Sequence, residues 1–167
     1  MQRLGETKGA IEQLFAQSYS RRDEVALIAF RKASAEILVP PTRSLVRARR
    51  LLAELPGGGG TPLAAGVNAA VALAAQATKR GRTPTIVFMT DGRANVALSG
   101  EGGREAAQRD ALQAAKKLRA LGTRILLFDT SARPEPLASA LAAEMGAQYL
   151  PMPHADARLV ASAVARR

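Results

Sequence analysis

Two short segments carry side chains whose types and spacing suit chemistry. Gly57-Gly58-Gly59-Gly60-Thr61-Pro62 opens a helical pattern, and Thr90-Asp91-Gly92 directly follows the apolar run Thr85 to Met89. A threonine hydroxyl and an aspartate carboxylate are hard oxygen donors. Mg²⁺ takes such donors, keeping several waters and accepting one or two carboxylates. Each segment also has an ordinary reading: Thr61 as N-cap with Pro62 at the first helical position is common helix-start chemistry, and Asp91-Gly92 is common turn chemistry. The glycines do not make a phosphate-binding loop, because the lysine and hydroxyl of GxxxxGK[ST] are absent and a helix, not a strand, precedes them. Arg93, beside Asp91, is placed to pair with a carboxylate of a partner. Asp129 ends a second apolar run and suits a cap on the turn at Thr130 and Ser131. His154 is the only histidine. Set between prolines and a helix start, it reads as a loop residue rather than the base of a hydrolytic Asp91–His154 pair.

For a loop hydroxyl and a strand-end carboxylate to meet, the elements carrying them must converge. Helical and strand periodicities alternate along the chain, an α/β signature. Helices are expected over about Gln2 to Tyr19, Leu45 to Leu55, Leu63 to Arg80, Gly103 to Leu121 and Leu137 to Met145, with a last one from Leu159. Asp156 is expected to be the N-cap of that last helix. Strands are expected over Val25 to Phe30, Ala35 to Val39 (ended by Pro40 and Pro41), Thr85 to Thr90, Arg124 to Asp129 and Gln148 to Leu150. The first two suit a hairpin at a sheet edge. Strands separated by helices imply a mostly parallel sheet with right-handed crossovers, and in such sheets sites collect at the carboxyl ends of the strands. Thr61 and Asp91 are therefore expected near each other on that edge.

Composition narrows the function classes. A chain of 167 residues suits one domain, spanning 1–167. It has no run of about 18 apolar residues, so no membrane span is expected. Without an export signal and without cysteine, a cytoplasmic location is the plain expectation. The formal charge of +10 favours acidic protein surfaces as partners. Aromatic residues make up 4% of the chain, too few for base-stacking platforms, so nucleic acid is not the expected partner.

The order of these elements, with GGGGTPL at 57–63, MTDGRAN at 89–95, RILLFDTS at 124–131 and GAQYLPMPHAD at 146–156, resembles the C-terminal von Willebrand A (integrin I-like) domain of magnesium chelatase D subunits along essentially the whole chain. The resemblance implies a three-layer α/β/α, Rossmann-like fold whose mostly parallel sheet has one antiparallel edge strand. It also implies a metal-ion-dependent adhesion site that holds Mg²⁺, to which Thr61 and Asp91 match as ligands. That family's D-x-S-x-S motif is absent here, and its place is a few residues before the first helix, where this chain begins. The resemblance thus implies that the first central strand is missing and the metal site incomplete. Burying unpaired strand groups costs about 1–3 kcal/mol each. Strands 25–30 and 85–90 are accordingly expected to pair directly, or to be bridged by a strand of another chain.

In function, the resemblance implies a docking domain rather than a catalyst, working with chelatase subunits I and H in ATP-dependent insertion of Mg²⁺ into protoporphyrin IX for chlorophyll or bacteriochlorophyll. The alternative is a von Willebrand A metal-dependent binding protein of another pathway.

Overall fold

The computed structural model describes residues 2–100, 103–152 and 156–166. Its elements run α1 (Gln2–Ser20), β1 (Val25–Arg31), β2 (Ser34–Thr42), α2 (Leu45–Ala53), α3 (Leu63–Lys79), β3 (Thr85–Thr90), α4 (Arg104–Ala120), β4 (Arg124–Asp129), α5 (Pro136–Met145), β5 (Gln148–Pro151) and α6 (Ala157–Ala165). This is the expected α/β order. The described residues fall into two compact units, one drawn from 2–29, 37–57 and 156–166, the other from 30–36, 58–100 and 103–152.

In the first unit, α1 packs against α2 and α6. Its core gathers Phe15, Val39, Ala48 and Leu52, with Ile11, Val25 and Leu27 partly buried beside them. Helix α2 starts where Ser44, extended at the N-cap, accepts a hydrogen bond from the Arg47 amide. Helix α6 starts the same way: Asp156 accepts from the Arg158 amide at 2.8 Å, the N-cap expected for it.

In the second unit, β3, β4 and β5 form a parallel sheet in that order. Thr85 to Thr90 lie opposite Arg124 to Asp129, and Leu126 to Asp129 opposite Gln148 to Pro151. Strand β4 is central and buried from Ile125 to Asp129, which is why it reads as a continuous apolar run. Helix α4 packs on α3 and α5. Helix α5 stops at Gly146, whose φ of 66° is left-handed, a conformation that glycine adopts without steric cost.

Strands β1 and β2 form a two-stranded antiparallel sheet of their own. Two expectations change here. Strand β2 runs through Pro40 and Pro41 to Thr42 instead of ending before them. Among the described residues its only ladder is to β1, so it is an edge strand there and can accommodate residues that donate no N–H. Nor do strands 25–30 and 85–90 pair directly: among the described residues no ladder joins β1 to β3. Side chains make the contact instead, with the Phe30 ring stacked on Phe88 at a centroid distance of 5.5 Å and an interplanar angle of 17°. A Cβ on Gly66 would lie 2.6 Å from the Phe30 ring, so the glycine in α3 leaves the space that ring fills.

Candidate functional site

The carboxyl ends of the three parallel strands carry Thr90, Asp129 and Pro151. Two bonds extend the ladders past the strand ends: the Thr130 amide donates to the Thr90 carbonyl at 2.8 Å, and the Met152 amide to the Asp129 carbonyl at 2.7 Å. The loops after β3 and β4 thus leave the sheet side by side.

After β3 the chain curls through two side-chain turns. The Gly92 amide donates to Thr90 Oγ1 at 3.1 Å, and the Arg93 amide donates to Asp91 Oδ1 at 3.1 Å. Gly92 has a φ of 74°, and a Cβ there would meet Glu135 Cβ at 2.6 Å. Only glycine suits both the conformation and the space. The turn leaves Asp91 partly exposed, with Oδ2 3.8 Å from Nε of Arg93. Arg93 itself points into solvent with two-thirds of its side chain exposed, so the ion pair is screened and weak.

Thr61 arrives at this edge from the glycine loop. Gly58 and Gly59 have φ of 87° and 102°, and a Cβ on Gly60 would lie 2.6 Å from both the Lys32 carbonyl oxygen and Val96 Cγ2. The glycines therefore let the loop pass under the β1–β2 hairpin tip. Beyond them, the Thr61 amide donates to Asn95 Oδ1 at 2.7 Å and the Asn95 amide donates to the Thr61 carbonyl at 3.3 Å. This clasp joins the Thr61 loop to the loop that carries Asp91. Thr61 is not the helix cap that its sequence context suggested: Pro62 occupies the N-cap position and no side chain caps α3. The threonine hydroxyl is thereby released from capping.

As ligands for Mg²⁺, the Thr61 hydroxyl and the Asp91 carboxylate are of the right class, but they supply only part of an octahedral oxygen shell. Among the described residues no group of three or more His, Cys, Asp or Glu side chains could hold a cation.

Asp129 belongs to a different kind of cluster. It is 1% exposed. Its Oδ1 accepts from the Ser131 amide at 2.9 Å and from Ser131 Oγ at 2.5 Å, and its Oδ2 accepts from the Tyr149 hydroxyl at 2.7 Å. The turn at Thr130 and Ser131 is capped as expected. Burial, together with the Asp129 carboxylate as hydrogen-bond acceptor and as negative charge, pushes the Tyr149 phenol up to about 12 from 10.0.

Residues 1–93 match the family model of the von Willebrand factor type A domain. The chain belongs to that family. This von Willebrand A domain is 52% identical over 157 residues to the magnesium-chelatase 60 kDa subunit of Cereibacter sphaeroides, covering 94% of the chain and 28% of that subunit. It is 47% identical over 159 residues to the magnesium-chelatase 60 kDa subunit of Rhodobacter capsulatus, covering 95% of the chain and 28% of that subunit. The chain thus spans 28% of the length of either relative. In fold it is similar to the crystal structure of the SpRpn10 VWA domain, with a TM-score of 0.69 at 13% identity, over 96% of this chain and 81% of that one.

Two functional-edge residues of this von Willebrand A domain escaped the sequence reading. Asn95 stands within the MTDGRAN segment, but nothing local reveals that it reaches back 34 positions to Thr61. Tyr149 sits on β5, two register positions from the residue opposite Asp129, a relationship visible only once the strands are aligned. His154 lies outside the described residues. No helix among the described residues is long and apolar enough to cross a membrane.

Proposed function

We propose that this von Willebrand A domain, residues 1–167, is the docking domain of a magnesium chelatase D-type subunit, supporting ATP-dependent insertion of Mg²⁺ into protoporphyrin IX. The observation that carries the reading is identity of 52% along 94% of the chain to a magnesium-chelatase 60 kDa subunit. The geometry supports it: the Thr61 loop and the Asp91 loop are clasped at the carboxyl edge of a parallel sheet, where open α/β folds place their sites. In this reading Thr61 and Asp91 are this chain's contribution to a Mg²⁺ site, which when bound supplies a positive centre for a partner's carboxylate. Arg93 pairs with acidic groups of the partner once the ion relieves it of Asp91. Subunits I and H are the expected partners, and the +10 charge of the chain draws acidic protein surfaces to it.

The test is an exchange. The matching segment of the Cereibacter sphaeroides 60 kDa subunit is replaced by this chain, and Mg²⁺ insertion is measured after reconstitution with the other subunits. Recovery of a substantial fraction of the parent activity is expected. A chimera that is folded and soluble but neither assembles nor supports insertion would overturn the reading in favour of a von Willebrand A binding protein of another pathway.

A further inference from the structure

The first turn of helix α2 sets charge against the helix dipole. A helix N-terminus carries partial positive charge, so acidic residues belong in the first turn and basic ones in the last. Helix α4 obeys, with Glu105 in its first turn and Lys117 and Arg119 in its last. Helix α2 has no acidic residue in its first turn and carries Arg47 there. Arg43 stands just before its N-cap, and Arg49 and Arg50 follow within the helix, Arg50 in the last turn where the dipole favours it. Arg47 and Arg50 are three residues apart on the helix, a spacing at which like charges repel. All four arginines are exposed, and none takes part in an ion pair among the described residues.

The arrangement is not a by-product of burying the helix. Ala48 and Leu52 turn inward to the core with Phe15 and Val39, while Val46, Arg47, Arg49 and Arg50 cover the opposite side. Val46 is 80% exposed, an aliphatic side chain set among guanidinium groups. A surface that accepts charge repulsion and an uncovered valine on the same two turns departs from local stability rules, as binding sites do.

We propose that the outer face of α2 docks an acidic polypeptide segment, with Arg43, Arg47, Arg49 and Arg50 engaging its carboxylates and Val46 covered by one of its apolar side chains. The guanidinium fork matches carboxylates in bidentate geometry. Nucleic acid fits less well, because the face carries no aromatic residue on which bases could stack and a phosphate backbone offers nothing apolar to Val46. An anionic membrane surface fits less well too, because one valine is a small anchor where interfacial helices use Trp, Phe or Leu. The proposal gives the docking reading a particular surface and rests on that reading only for the partner's natural identity.

The test uses the chain itself with defined probes: a fluorescent Glu/Asp-rich peptide containing one leucine, the same peptide with glutamine for leucine, single-stranded RNA, and phosphatidylserine vesicles. Saturable binding of the leucine peptide is expected, weakened by salt, weaker with glutamine, and tighter than binding to RNA or vesicles. The double substitution Arg47→Glu with Arg50→Glu is expected to cost at least about tenfold in affinity. It should leave thermal stability near that of the parent, because the acid gained in the first turn offsets the acid placed in the last. Lys116→Glu with Lys117→Glu on exposed positions of α4 makes the same change in net charge and is expected to cost no more than about twofold. Equal losses from the two pairs, preference for RNA or vesicles, or no saturable peptide binding would overturn the proposal. A chimera that is inactive in chelation while the α2 variants behave as expected would sink the chelatase reading and leave this one standing.

Discussion

Thr61 and Asn95 hold each other through two backbone-anchored hydrogen bonds, 2.7 Å from the Thr61 amide to Asn95 Oδ1 and 3.3 Å from the Asn95 amide to the Thr61 carbonyl. The pair makes one rim out of two loops that are remote in sequence. It also fixes the register of Thr61 at the mouth of α3 while leaving the hydroxyl free of capping duty.

Asn95→Ala removes the side-chain half of this clasp. The cost in global stability is expected to be about 0.5–1.5 kcal/mol or less, since Asn95 is exposed and water can replace its carbonyl. The local effect should be larger: amide exchange at Thr61 accelerates, while exchange at Leu127 in the middle of β4 changes only with the global term. Unchanged protection at Thr61 would show that the clasp does not hold the loop.

Glycine-to-alanine substitutions should change sign with position. In α1 nothing lies within 4 Å of a Cβ built on Gly5 or Gly9, so Gly5→Ala is expected to raise stability by about 0.5–1 kcal/mol through helix propensity. In α3 the Gly66 position faces the Phe30 ring at 2.6 Å. There the same substitution should destabilise by about 1–3 kcal/mol, as overpacking does. Thermal melts of the two variants read the difference directly, and stabilisation by Gly66→Ala would contradict the placement of Phe30.

Alkaline pH should weaken the fold through Tyr149. Its phenol is pushed up to about 12 when folded, from 10.0, so the folded chain keeps a proton that the unfolded chain gives up. The stabilisation is fully present below pH 10 and is lost as pH rises toward 12. Tyr149→Phe should lack that alkaline loss while being less stable at neutral pH, because Asp129 Oδ2 loses its donor. Tyrosinate absorbance, taken as the difference between the parent and Tyr149→Phe, should rise late in the titration. An ordinary phenol midpoint for that difference would refute the Asp129 contact.

What was legible in the sequence follows from how local each feature is. Strands β3 and β4 were read to the residue because each is a short, continuous apolar run bounded by polar turn residues, although only β4 is buried along nearly all its length while much of β3 is half-buried. The α6 cap at Asp156 was legible because a cap is a contact over two residues. Strand β2 ran past its expected end because the prolines are tolerated on an edge, and strand order is not written locally. The ordinary reading of Thr61 as a helix cap does not hold, because an amide bond to Asn95 and a proline at the cap position take its place, and these depend on a loop 34 residues away. The Asp129–Tyr149 bond was invisible for the same reason, arising from the register of two parallel strands.

The proposed docking role rests most directly on Asp91. Among the described residues its carboxylate meets only the Arg93 amide and guanidinium, at a partly exposed turn, so Asp91→Ala should move the stability of the domain by no more than about 0.5 kcal/mol. The decisive measurement is complex formation: Asp91→Ala in the full-length subunit, with assembly onto the other chelatase subunits followed in the presence of Mg²⁺ and the thermal midpoint recorded alongside. The expected result is a clear loss of assembly, and of Mg²⁺ insertion with it, at an unchanged midpoint; assembly indistinguishable from the parent subunit would contradict a metal-dependent docking role for this edge.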